Sequence, residues 1–222
     1  MRKAQHIILY VVTAVLAVGC GGHENGRGPQ PSDTLYTAEV AMEVFNQDPG
    51  RALVIIDSAL LVGNVDDNLA TMLKAKIYSQ SNKAQQLDTA HQMLEGLMES
   101  DFVKDPDKRE VVLDLLVSTT RLRDDYEQCL RWATEKADLC REQGKKTEAL
   151  RTEAEIGVIL VELGEEKEGV ERLNGVIASL EGQRQTDETD ACIIAIRRKI
   201  LVLKKLNRTG GHYLCDGGLV CR

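Results

Sequence analysis

Ala52, Ala90, Cys129 and Gly169 stand 38, 39 and 40 residues apart. Each falls where two amphipathic helices are expected to cross, and a period of this size confines the chain to a stack of two-helix units. The amphipathic stretches come in pairs: 34–47 with 49–62, 66–80 with 83–99, 106–122 with 124–142, and 147–163 with 165–181. An unpaired ninth stretch covers 187–206. Within them, Leu113, Leu116, Val117 and Thr120 share one face, as do Ile156, Ile159, Leu160 and Leu163, the three-and-four spacing of a helix packed on one side. Asp48-Pro49 and Asp105-Pro106 mark helix starts, the aspartate capping free amides and the proline occupying the first turn. One unit alone buries too little surface, so its neighbours must supply the missing face. The expected fold is all-α, a right-handed solenoid of about four and a half antiparallel helix pairs with one concave and one convex wall. Only 4% of the residues are aromatic, and no β-branched run alternates strictly, so no sheet is required.

The start of the chain has a different character. Arg2 and Lys3 precede the apolar stretch Ile7 to Val18, which ends in Gly19-Cys20, the order of a secretory signal over residues 1–19. Twelve helical residues reach about 18 Å against a hydrocarbon core of about 30 Å, too short for an ordinary span. The run Leu16-Ala17-Val18-Gly19-Cys20 resembles the lipobox of bacterial lipoproteins, although Ala17 stands where that family usually has leucine. The resemblance implies acylation of Cys20 as the first mature residue. Several acyl chains would hold the protein to a bilayer, each buried methylene contributing about 0.8 kcal/mol. Residues 20–33 then form a glycine- and proline-rich tether. Gly21 offers no aspartate-type retention signal, which by resemblance points to the outer membrane or the periplasmic face of a two-membrane envelope.

Within 34–206 the likeness to a second family becomes specific. Ile156-Gly157, Leu160, Gly164, Gly169, Leu173 and Val176 fall where tetratricopeptide repeats place their leucine-glycine pair, aromatic, turn glycine, small crossing residue and second-helix anchors. The stretch from Asp125 to Leu130 resembles that family's entry into the second helix. The period exceeds the usual 34 residues or so, and Leu160 and Gly169 replace the family's usual aromatic and alanine. The resemblance implies a protein or peptide held in the concave groove, and not catalysis. The walls of that groove would be the first helices of the pairs, with Glu43, Lys76, Arg121 and Glu162 among the charges they carry.

Other chemistry finds little support, and no catalytic, cofactor or metal residue is assigned. His91 and His212 are the histidines beyond the signal and tether; neither adjoins a nucleophile motif, and His91 reads as a partly exposed helix residue. Gly21-Gly22 and Gly26-Arg27-Gly28 lack the strand and lysine of a phosphate loop. Asp66-Asp67 and Glu165-Glu166 lie near helix starts, where the dipole favours negative charge. Five cysteines remain beyond Cys20, an odd number that implies no disulfide framework. Cys129 and Cys140 lie about 16 Å apart on one helix, too far to bridge, and Cys129 and Cys192 read as small buried residues. His212, Cys215 and Cys221 fit no closed zinc site. Without residues 1–19 the chain carries 26 basic against 35 acidic groups, a formal charge of −9 that repels nucleic acid.

Residues 207–222 fit no amphipathic helix. The face carrying Ile193, Ile196, Ile200 and Leu203 is therefore expected to stay partly exposed. Either the tail folds back over the last helix, or the chain is shortened relative to relatives with further repeats, a membrane span and a signalling module. The first function expected is a lipid-anchored scaffold in the bacterial envelope; the alternative is the extracytoplasmic sensor segment of a histidine kinase or transcription regulator.

Overall fold

The computed structural model describes residues 36–181, 192–197 and 199–202, and every regular element among them is helical. The chain divides into two compact units between Asp124 and Asp125, inside the third expected pair, so the two helices of that pair belong to different units.

The first unit contains α1 (Ala38–Phe45), α2 (Pro49–Leu61), α3 (Asp67–Ser79), α4 (Ala84–Met98), the short 3-10 helix η1 (Asp101–Lys104) and α5 (Pro106–Leu122). Side-chain caps define most of the starts. Thr37 accepts from the Val40 amide, Asp48 from Arg51, Asp66 from Leu69, and Asp105 from Asp107 and Lys108. Each cap satisfies an amide that the helix itself leaves unpaired. Pro49 and Pro106 occupy first-turn positions, where a missing N–H costs nothing. Helices adjacent in the chain pack on one another, α1 on α2, α2 on α3, α3 on α4 and α4 on α5. The core they close includes Ile56, Leu73, Leu94, Leu113 and Leu116, all essentially without solvent contact. η1 wedges Phe102 between α4 and α5, with the Lys108 ammonium 4.9 Å from its ring centroid.

The second unit contains α6 (Tyr126–Glu142), α7 (Lys146–Glu162) and α8 (Glu166–Glu181), followed by helical residues 192–197 and 199–202. α7 is buried on every side from Ile156 to Val161, as a helix with neighbours all round must be. One neighbour is the last helical segment. Ile193, Ile196 and Ile200 join Ala154, Val158, Val161, Leu173, Val176, Ile177 and Leu180 in one apolar cluster. This corrects the expectation that those three isoleucines stay partly exposed: α7 and α8 have apolar surface left over after packing on each other, and the segment covers it. Leu203 lies outside the described residues.

The small residues that set the period are all buried, Ala52, Ala90 and Cys129 completely. At Gly169 the approach leaves no room for a methyl group. A Cβ there would collide with the Gly157 carbonyl oxygen and stand 2.6 Å from Val161 Cγ2, and a Cβ on Gly157 would stand 2.8 Å from Leu173 Cγ. The turn glycine expected at Gly164 has φ +90°. It ends α7 while the Glu165 amide reaches back to the Leu160 carbonyl at 2.9 Å, the left-handed helix ending that favours glycine. Asp124, two residues after α5, takes the same left-handed conformation at φ 56°.

Candidate functional site

In the first unit the first helices of successive pairs also touch one another, α1 meeting α3 and α3 meeting α5. They form a row, and the charges expected along a binding wall can be placed on it. Glu43 of α1 is exposed; Lys76 of α3 and Arg121 of α5 are half-buried. Burial pushes the Lys76 ammonium below the ordinary lysine value of 10.5, because a charge taken from water is disfavoured, and the Asp114 carboxylate of α5 partly counters the shift. Asp114 is exposed, and Ser118, one turn further on and also exposed, shares its face of α5. The row therefore presents a basic and an acidic group from adjacent helices with a hydroxyl beside them. This arrangement can recognise polar groups of a partner. The Lys76–Asp114 relation spans 38 positions and is not readable from either residue alone.

In the second unit Glu162 of α7 is half-buried. A network ties the three helices together: the Glu153 carboxylate of α7 accepts from Arg141 of α6 and, at 3.2 Å, from Arg172 of α8. Asp138 and Glu168 hold the same two guanidinium groups from their own helices. Two cations and three carboxylates satisfy one another there, which suits a structural brace. Arg131 lies 4.1 Å from the centroid of the buried Trp132 ring, a cation–π contact of the ordinary exposed kind.

Comparison with known proteins yields no relative. No family model, no curated protein and no solved structure matches the chain.

Several sequence expectations have a definite place in this geometry. His91 is not partly exposed: it is 5% exposed on α4, with Nε2 3.4 Å from the Glu95 carboxylate one turn on. The imidazole fills space between helices that a polar residue at this position gives no hint of. Asp66 caps α3, Asp67 sits in its first turn and Glu166 begins α8, in keeping with the dipole reading of both acidic pairs. Cys129 and Cys140 are both completely buried. Cys192 departs from its expected burial, being half-buried. Cys20, Gly21-Gly22, Gly26-Arg27-Gly28, His212, Cys215 and Cys221 lie outside the described residues.

Among the described residues no group of three or more histidine, cysteine, aspartate or glutamate side chains is placed to hold a metal ion. No helix described is long and apolar enough to cross a membrane. A depression of about 1160 Å³ runs beside the start of α8, lined between Gly164 and Arg172. All these lining residues come from one continuous stretch, so no second described element faces them with converging groups.

Proposed function

We propose that this chain is a lipoprotein of the bacterial envelope whose helical repeats form a right-handed solenoid, hold a protein or peptide along the row of first helices, and hang from the membrane by lipid on Cys20. The observation that carries the reading is the contact of α1 with α3 and of α3 with α5 in the first unit. Stacked pairs whose first helices adjoin generate a continuous strip of side chains from successive units, and such a strip suits extended or helical peptides better than small molecules. The likeness of residues 153–177 to tetratricopeptide repeats supports the same assignment. The lipobox-like end of the signal segment supports anchoring.

A photo-reactive amino acid placed in the full chain at Ser118, on the row, and at Gln92, an exposed position of α4, tests the scaffold in a bacterial envelope. Discrete adducts at Ser118 and none at Gln92 are expected; equal adducts at both positions, or none at either, would refute the groove. Anchoring is tested separately by palmitate labelling, which Cys20→Ser should abolish. Persistent labelling of that variant would move the lipid elsewhere.

A further inference from the structure

We draw no further inference here: the strongest candidate, the outward side of the last helical segment, where Ile194, Leu201 and Val202 are 49%, 61% and 46% exposed, is an unpartnered apolar face, and nothing in the structure shows what covers it.

Discussion

Ala90 in the first unit and Gly169 in the second occupy the same place in the repeat and use it differently. At Ala90 a methyl group is completely buried. At Gly169 there is no room for one, because the Gly157 carbonyl oxygen and the Val161 backbone nitrogen already fill the position, the latter 3.1 Å from where a Cβ would stand. A small residue is buried in both units, but in the first a methyl group is accommodated, whereas in the second two backbones meet where a methyl would stand. How small the residue must be is set by each position's own neighbours.

Breaking this contrast most strongly requires Gly169→Ala. The substitution gains about 1 kcal/mol of helix propensity, yet its Cβ meets backbone atoms that cannot step aside, so α7 and α8 must separate. An overpacking cost of about 3 kcal/mol, the upper end of the usual range, leaves a net loss of about 2 kcal/mol, read as a lower midpoint in urea. An unchanged midpoint would show that the crossing is looser than described. Gly157→Ala should cost somewhat less, since the nearest backbone obstacle to its Cβ, the Gly169 carbonyl oxygen, stands farther off at 3.0 Å, although the buried Leu173 at 2.8 Å has little room to move.

The reciprocal change is Ala90→Gly, which removes a buried methyl and loosens α4. Roughly 1 kcal/mol of propensity and about 0.8 kcal/mol of apolar burial are lost together. If Ala90→Gly proved neutral while Gly169→Ala was severe, the first unit would tolerate a change of spacing that the second does not. A larger loss from Ala90→Gly than from Gly169→Ala would reverse the comparison.

The turns give a smaller contrast of the same form. Gly164 and Asp124 both adopt left-handed backbone, one with glycine and one without. Gly164→Ala has open space for its methyl, so its cost is conformational alone, about 1 kcal/mol. Asp124→Gly relieves the same strain but gives up the interactions of the aspartate side chain and frees the unfolded chain, so it should change stability less than Gly164→Ala. Differential scanning calorimetry should show the larger downward shift for Gly164→Ala; an equal or larger loss from Asp124→Gly would remove backbone strain as the controlling cause.

Much of this architecture could be read from the residues because the signals are local. Asp48-Pro49 and Asp105-Pro106 mark helix starts by chemistry that needs no tertiary partner. Ala52, Ala90, Cys129 and Gly169 recur at buried positions, where a small residue suits a close helix approach. Features that depend on several elements at once escape such reading. η1 is four residues long, too short to show a period. The burial of His91 is set by neighbouring helices and not by its own residue type, and covering Ile193, Ile196 and Ile200 requires surface left over on α7 and α8. The division between Asp124 and Asp125 falls in a turn whose residues resemble those of any helix connection. The candidate wall was legible only as a set of helices; that Lys76 meets the field of Asp114 depends on the contact of α3 with α5.

Charge offers the last and smallest comparison. Glu153 in the second unit is held by two arginines, whereas Lys76 in the first is partly desolvated and incompletely compensated by Asp114. Because the folded pKa of Lys76 lies below 10.5, the folded chain releases this proton before the unfolded chain does. The unfolded state therefore binds more protons between the two values, so this group makes stability rise with pH across that window; below it the full desolvation cost remains. Lys76→Met should abolish that rise and stabilise the chain near neutral pH by a few tenths of a kcal/mol, up to about 1 kcal/mol. Asp114→Asn should act in the opposite sense, lowering the lysine pKa further and destabilising the neutral-pH state slightly. Urea midpoints measured from pH 7 to 10.5 for the parent, both single variants and the double variant separate the pair from its surroundings. If Asp114→Asn is as costly with Met at position 76 as with Lys, the carboxylate acts on some other group, and Lys76 is simply a lysine whose stem is buried.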